Sequence, residues 1–122
     1  MNERPVGLTP ACLRALAAGH KTQLRRVVKD ATAPCPFGEP GDLLRAEDGT
    51  RLRILALRRE RLQAISDADL AREGGMWRVT SPPGVVESER AGFARWWDAV
   101  HARPESRWQA DPWVWVVTFE RS

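Results

Sequence analysis

Five consecutive apolar residues near the C-terminus place the strongest constraint on how this chain can fold. They form the segment WVWVV, from Trp113 to Val117, within DPWVWVVTFER. A strand with one solvated face alternates apolar and polar residues, whereas an uninterrupted apolar run is typical of a strand covered on both faces. The sequence therefore predicts a sheet in which this segment is a central strand.

Two segments carry the signals of longer helices. In GLTPACLRALAAG, Thr9 suits the N-cap, Pro10 the first helical position and Gly19 the left-handed C-terminal cap. In ESERAGFARWWDAVHARP, apolar residues recur at helical spacing until Pro104 ends the pattern. A shorter helix is predicted in SDADLAREGG, where Ser66 is the N-cap.

The remaining segments predict strands and loops. TQLRRVVK, DLLRAE and RLRILALRRERLQ indicate strands, and Asp48-Gly49 between the last two is a strong hairpin signal. MWRVTSPPG predicts a strand fragment that runs into a double-proline turn, and DATAPCPFGEPGD predicts a loop. The order of elements indicates an α+β fold with a small, strongly curved sheet. A length of 122 residues suits one domain, residues 1–122.

Composition and charge limit the compartment and the partners. A net charge of +3 permits a nucleic-acid partner without requiring one. No run approaches the roughly 20 apolar residues of a membrane helix, and MNERPVG lacks the apolar region of a secretory signal. We expect Cys12 and Cys35 to be reduced thiols and the protein to be cytoplasmic, with no membrane partner.

Neither a metal nor a cofactor is predicted. The two histidines and the two cysteines are scattered, with no pair at the spacing of metal ligands. Asp67 and Asp69 could attract magnesium, but capping of the short helix already explains both.

The stretch GHKTQLRR, residues 19–26, is the main candidate for a binding site. All but two of the 19 basic residues are arginine, and one of the two lysines, Lys21, lies in this stretch just after the first helix. A lysine amine can act as a compact donor or as a base whose pKa is tuned by its surroundings. From the residues alone, however, Lys21 is best interpreted as a solvated cation near a helix C-terminus.

Six tryptophans raise the hypothesis of base stacking. The spacing of Trp96, Trp97 and Trp115 predicts that all three are core residues. Trp77 and Trp108 lie near turn-like segments and are the candidates for exposed platforms, although packing is the simpler interpretation of both.

Three segments, GHKTQLRR, PFGEPGDLLRAE and DPWVWVVTFER, give nearly the whole chain a resemblance to the ASCH family. More narrowly, the chain resembles the phage-associated ASCH proteins. RLQAISDADLAREG and FARWWDAV add to that likeness. Of the family motif G-x-K-x-x-T-x-R, Gly19, Lys21 and Arg26 match, whereas Leu24 stands where the family has a threonine.

The resemblance implies a fold similar to the PUA domain, a small β-barrel flanked by helices. It also implies that RNA, single-stranded nucleic acid or a nucleoside binds in a polar cleft. Carried over by position, Lys21, Thr22 and Arg26 would form one wall of this cleft, with Glu73 across from them.

Two further arginines are candidates for contacts with nucleic acid. Arg25 belongs to the motif, and Arg45, together with Glu47, would flank the same cleft. From the residues alone, Arg25 and Arg45 are better explained as members of cross-strand charge pairs.

The resemblance also leaves an enzymatic alternative open. Some small members of the family are similar to amidohydrolases that remove an acyl group from N4-acetylcytidine with a lysine, a threonine and a glutamate. Here Lys21 would be the base or charge stabiliser, Glu73 its partner, and Thr22 a partial substitute for the hydroxyl that Leu24 lacks. This departure favours binding over hydrolysis. A metal-dependent ribonuclease and a phage accessory protein without a ligand are further alternatives.

Overall fold

The computed structural model describes residues 2–122 of the chain. The strands are β1 (Glu3–Pro5), β2 (Gln23–Val27), β3 (Leu43–Arg45), β4 (Arg51–Arg61) and β5 (Trp113–Arg121). The α-helices are α1 (Pro10–Ala17), α2 (Asp67–Glu73) and α3 (Glu89–Val100). Short 3-10 helices occupy Leu62–Ala64, Met76–Thr80, Pro104–Ser106 and Trp108–Ala110. The strands form one sheet in the order β1-β3-β4-β5-β2, which confirms the α+β class.

The apolar segment near the C-terminus is the central part of the sheet, as predicted. β5 pairs antiparallel with β4 on one side and with β2 on the other. Val114, Val116 and Val117 are fully buried, but Trp115 is half-buried and Trp113 is exposed. Burial on both faces is therefore confirmed for the valines, and the prediction that Trp115 is a core residue is only partly correct.

The sheet does not close into the barrel that the resemblance implies. β1 and β2 are its two edges, and no backbone ladder joins them within residues 2–122. The edges are bridged by a side chain instead, because Arg26 of β2 donates to the carbonyl oxygen of Gly7, just after β1. A register shift between Ile54 and Ala56 marks an irregularity in β4, a feature that bends a strand. The sheet is thus an open one with its edges in contact.

The three predicted helices are confirmed, together with the predicted N-caps Thr9 and Ser66. The Thr9 hydroxyl accepts a hydrogen bond from the backbone N–H of Cys12, and Ser66 and Ser88 cap α2 and α3 in the same way. Gly19 has a φ of 79°, in the left-handed region that favours glycine. The three hydroxyl caps satisfy backbone N–H groups that have no partner inside the helix.

The β3–β4 hairpin is confirmed, whereas the predicted strand fragment at 76–80 is wrong. β3 and β4 pair antiparallel across the Asp48-Gly49 turn. Met76–Thr80 is a 3-10 helix, in which Trp77 is only 1% exposed and packs edge-to-face on Phe93 with ring centroids 5.5 Å apart. Tertiary packing of this indole against α3 overrides the local preference for an extended chain, and it removes Trp77 as an exposed platform.

The hydrophobic core joins the sheet to all three helices. It includes Leu16 of α1, Leu24 of β2, Ile54 of β4, Leu70 of α2, and Phe93 and Trp97 of α3. Cys12 and Cys35 are both free thiols. Among the helices of residues 2–122, none has the length and apolar character that crossing a membrane requires.

Candidate functional site

Lys21 and Glu73, paired by the resemblance, meet where the end of α1 approaches the end of α2. The Lys21 ammonium donates to Oε1 and to the backbone carbonyl oxygen of Glu73, each at 3.1 Å. Both side chains are only 2% exposed. The interpretation of Lys21 as a solvated cation is therefore wrong, since the amine is buried in an ion pair.

Arg25 extends this pair into a buried network of charges. Its Nη1 donates to Glu73 Oε2 at 2.9 Å and to Gln23 Oε1 at 2.6 Å. Its Nη2 donates to Glu60 Oε2 at 3.1 Å and to Asp69 Oδ2 at 3.2 Å. The side chain is fully buried, so Arg25 holds carboxylates together instead of presenting a cation to solvent. The residues alone predict that Arg25 belongs to charge pairs, and it does, but these pairs are buried and two of the three partners lie on α2.

Asp69 connects the buried network to two arginines at the surface. Arg58 Nη2 donates to Oδ2 at 2.5 Å, and Arg72 Nη1 donates to Oδ1 at 2.8 Å. Burial opposes ionisation of Asp69, but these two hydrogen bonds and the charge of Arg25 outweigh it and hold the pKa below its ordinary value. α2 is thereby attached to β2 and β4 through an ionised carboxylate.

The hydroxyl that hydrolysis requires is not beside the Lys21 ammonium. The Thr22 side chain is exposed and makes no hydrogen bond within residues 2–122, while its backbone N–H donates to the carbonyl oxygen of Arg72 at 2.9 Å. Leu24 is 1% exposed and belongs to the core. The hydroxyl that does enter the network is that of Thr118, which accepts from Gln23 Nε2 at 3.0 Å. Two of the three proposed catalytic groups converge, and the third does not.

A cavity of about 540 Å³ lies beside Arg26. Because side chains alternate along a strand, Arg26 points to the face of β2 opposite to Arg25. The wall of the cavity is formed by β2, β5, the β2–β3 loop and the segment after α3. It includes Arg26, Lys29, Phe37, His101, Ser106 and Trp115. Lys21, Thr22 and Glu73 do not line it. The motif residues are therefore divided between a buried network and an open cavity.

Arg26 is the motif cation that reaches this cavity. Its guanidinium lies 5.9 Å from the centroid of the Phe37 ring, and its Nη1 donates to the Arg25 carbonyl oxygen at 3.3 Å. Burial lowers the pKa of Arg26, and the negative charges of Glu73 and Glu47 partly offset this effect. A guanidinium stays charged at neutral pH in proteins, so the cavity contains a fixed positive charge.

His101 supplies the cavity with a neutral imidazole. Its ring stacks on Trp97 with centroids 3.7 Å apart and an interplanar angle of 11°. Nδ1 lies 2.9 Å from the Trp97 carbonyl oxygen, which can only accept, so Nδ1 carries the proton and Nε2 keeps its lone pair. Burial, in first place, and the positive charge of Arg26 lower the pKa of His101. The ring is therefore neutral at pH 7, with Nε2 as an acceptor.

Arg45 lies apart from this cavity. It is exposed, its Nη1 is 3.8 Å from Glu3 Oε2, and it lines a shallow hollow with Gly7 and Glu47. Glu47 in turn accepts from the backbone N–H of Leu8 at 2.9 Å. Arg45 and Glu47 thus line the same hollow, but neither lies in the wall around Arg26, the position that the resemblance implies for both.

Sequence reasoning missed most of the residues that line the cavity. Phe37 is an aromatic residue inside a loop rich in proline and glycine, and that contrast was an available signal. His101 and Trp115 gave no such signal, because their positions follow from how α3 and β5 meet β2. Trp108, the second candidate platform, is half-buried against Phe93. Within residues 2–122, no group of three His, Cys, Asp or Glu side chains is placed to hold a metal ion.

Comparison with solved structures identifies the fold. The crystal structure of an ASCH domain from Lactobacillus crispatus superposes on the chain with a TM-score of 0.59 and 14% identity, over 98% of this chain and 79% of that one. The chain has the ASCH-domain fold. At this identity the ASCH likeness concerns the fold, so it confirms the resemblance at that level and assigns no residue roles.

Two other solved structures share the ASCH-like architecture of this chain. A hypothetical protein, PH0355, superposes with a TM-score of 0.64 and 18% identity over the whole of both chains. The protein EF3133 from Enterococcus faecalis, which carries the family model DUF984, superposes with a TM-score of 0.60 and 12% identity over 99% of this chain and 80% of that one. No family model matches the sequence, and no curated protein matches it.

Proposed function

We propose that this protein binds RNA or another single-stranded nucleic acid by seating a nucleoside in the cavity beside Arg26. The single observation that carries the proposal is the chemistry of the wall: a guanidinium, a neutral imidazole and two aromatic rings surround about 540 Å³. Cavities for small ligands typically measure about 300–1,000 Å³ and combine apolar walls with a few polar groups. A nucleoside offers the matching chemistry, a flat aromatic base with a polar edge.

Each side chain of the wall has a role in this proposal. Phe37 and Trp115 provide faces for the base, and stacking of this kind contributes about 1–3 kcal/mol per base. Arg26 donates to a phosphate or to the acceptor edge of the base. His101 Nε2 accepts from an amino or imino group, and Lys29 at the rim adds a mobile cation for a phosphate.

The buried network supports this site from the other face of β2. Lys21, Glu73 and Arg25 attach β2 to α2, and β2 is the strand that carries Arg26. They hold the strand in place without touching the ligand. Thr22 and Arg45 are exposed outside the cavity, so a contact with either requires a ligand longer than one nucleoside.

Titration with nucleosides and short RNA, followed by tryptophan fluorescence and calorimetry, tests the proposal. We expect Arg26→Gln and Phe37→Ala each to weaken binding at least about tenfold, which is 1.4 kcal/mol. Arg103→Gln is the matched control, because Arg103 is exposed and makes no ion pair within residues 2–122. Unchanged affinity in both folded cavity variants would show that the cavity is not the site.

Amide cleavage of an acylated nucleobase such as N4-acetylcytidine is the second candidate function. The contact of the Lys21 ammonium with the Glu73 carboxylate at 3.1 Å favours it, since a base and a carboxylate partner belong to that chemistry. Burial of both groups and the apolar side chain of Leu24 oppose it. The test compares the wild type with Leu24→Thr for release of cytidine from N4-acetylcytidine. No turnover by either folded protein rules this function out.

A further inference from the structure

Arginine and tryptophan side chains alternate across three neighbouring strands on the face that carries the cavity. Trp115 pairs in register with Arg26 of β2 on one side and with Arg59 of β4 on the other. Two residues along β5, Trp113 pairs with Arg61. Residues two apart on a strand share a face, so Arg59, Arg61, Trp113 and Trp115 form one surface, which we call the Arg-Trp stripe.

The guanidinium groups of the Arg-Trp stripe lie against the indole rings. Arg59 is 4.9 Å from the centroid of Trp115, and Arg61 is 4.7 Å from that of Trp113. Trp113 is nevertheless 49% exposed, and both arginines are exposed. A large apolar ring that remains half open on a sheet face is available to a further planar group.

The charges of these two arginines are not neutralised by carboxylates. Arg59 Nη1 donates to the Ala31 carbonyl oxygen at 2.8 Å, and Arg61 Nη1 donates to the Asp111 carbonyl oxygen at 3.2 Å. Neither forms an ion pair within residues 2–122, whereas five other exposed arginines do: Arg51, Arg58, Arg72, Arg78 and Arg107. The stripe is therefore positively charged as well as aromatic.

The Arg-Trp stripe continues directly from the cavity. A second hollow of about 320 Å³ is lined by Val28, Ala31, Arg59 and Trp113. Lys29 and Asp30, which lie between Val28 and Ala31 in the chain, line the first cavity. Trp115 also lines the first cavity, while Arg59 covers its ring and lines the second hollow. The two hollows are therefore lined by residues that are adjacent in the chain or in contact with each other.

Resting on the proposed function, we propose that the ligand is a single strand of several nucleotides that runs from the cavity across the Arg-Trp stripe. One base occupies the cavity and a following base stacks on Trp113. The phosphates between and beyond them lie against Arg59 and Arg61. Aromatic faces that receive bases, combined with cations that follow the backbone, are the combination by which proteins hold single strands.

A purely structural role of the stripe makes a different prediction. Exposed cation–π pairs contribute about 0.5–1 kcal/mol to stability, so their removal would lower the melting temperature without changing binding. The nucleotide-binding role predicts a loss of affinity that depends on the length of the strand.

Fluorescence anisotropy with labelled oligouridine of one, three and six nucleotides distinguishes the two roles. We expect affinity to rise at least about tenfold from the mononucleotide to the hexanucleotide. Arg59→Gln/Arg61→Gln should remove most of this gain and reduce the slope of log affinity against log salt by about 1.4, which is 0.7 for each lost phosphate contact. Arg51→Gln/Arg53→Gln removes the same charge from the start of β4 and should leave the length dependence intact.

Each other outcome has a defined meaning. Mononucleotide binding without length dependence overturns this inference and leaves the proposed function standing, whereas no binding at any length overturns both. If a polyglutamate peptide binds as tightly as the hexanucleotide, the inference is also overturned, because the stripe then binds any polyanion. If the double variant does not fold, Trp113→Leu and Arg61→Gln are measured separately. Unchanged hexanucleotide affinity in both of these variants also overturns the inference.

Discussion

The Lys21 ammonium binds Glu73 through its carboxylate and through its backbone carbonyl oxygen at the same time. Glu73 is the last residue of α2, so this carbonyl is one of those that a helix leaves without an internal partner. A residue that follows α1 thus caps α2 and neutralises its terminal acid. Arg25 occupies the other carboxylate oxygen of Glu73. Each charge is compensated only while its partners are present.

Removal of the shared acid is expected to be strongly destabilising. Glu73→Ala leaves the Lys21 ammonium and one side of Arg25 buried without a counter-charge, and breaking a buried pair in this way costs about 3–5 kcal/mol. Urea denaturation followed by circular dichroism measures the loss. Glu120→Ala is the control, because Glu120 is exposed and makes no ion pair within residues 2–122, and it should change the free energy of unfolding by less than about 0.5 kcal/mol. Equal effects of the two variants would contradict the role of the network.

Lys21→Met separates support of the site from contact with the ligand. The substitution keeps the apolar stem and removes the ammonium, so two buried acceptors of Glu73 lose a donor, and stability should fall by about 2–3 kcal/mol. Because Lys21 does not line the cavity, the affinity of the folded variant for short RNA should stay within about twofold, well below 1 kcal/mol. A tenfold loss of affinity in the folded protein would instead place Lys21 in contact with the ligand, as the family resemblance implies.

Stability should depend on acid pH through Asp69. Hydrogen bonds from Arg58 and Arg72 outweigh burial and lower its folded pKa below the unfolded value of about 3.9. The resulting stabilisation is fully present above the unfolded value and is lost as the pH falls through the folded pKa. Asp69→Asn should therefore be less stable at pH 7 and lose less stability than the wild type between pH 5 and pH 2. Asp67→Asn, an exposed change in the same helical turn, should keep the wild-type slope.

Gly92 should resist the substitution that normally stabilises a helix. Alanine is favoured over glycine inside a helix by about 1 kcal/mol. A Cβ at position 92 of α3, however, would lie 2.4 Å from Cδ1 of the buried Trp77, so the indole or the helix must shift. We expect Gly92→Ala to lower stability by about 1–3 kcal/mol in thermal or urea unfolding. Ala99→Gly, on the exposed side of α3, is the control, because it makes the reverse change in helix propensity at an exposed position. A gain of stability in Gly92→Ala would disprove the contact with Trp77.

The elements of this fold could be predicted wherever their signals are local. Thr9 and Ser66 lie within three residues of the backbone N–H groups that they cap, and the Asp48-Gly49 turn joins strands that are adjacent in the chain. The prediction at residues 76–80 is wrong because burial of Trp77 against α3 decides that segment, and Phe93 lies 16 positions away in the sequence. β1 was missed for a similar reason, since a three-residue strand depends on its parallel partner β3.

The candidate site divides in the same way. The pairing of Lys21 with Glu73 was expected through the family resemblance, and the two side chains do meet although they lie 52 residues apart. Composition and spacing gave no indication that Arg25 is fully buried among carboxylates. Composition and spacing also gave no indication that Arg26 is the motif residue that lines a cavity.

The sequence by itself determined the helices, the hairpin, the central strand and the residue types at the end of α1, because caps, turns and periodicity act over a few neighbouring residues. Only the tertiary structure decided which face of β2 is covered by α2 and which is left open beside Phe37, His101 and Trp115. Burial of a side chain depends on segments that are distant in sequence. Arg25 and Arg26 are adjacent and locally similar, yet Arg25 is buried among carboxylates and Arg26 lines a cavity.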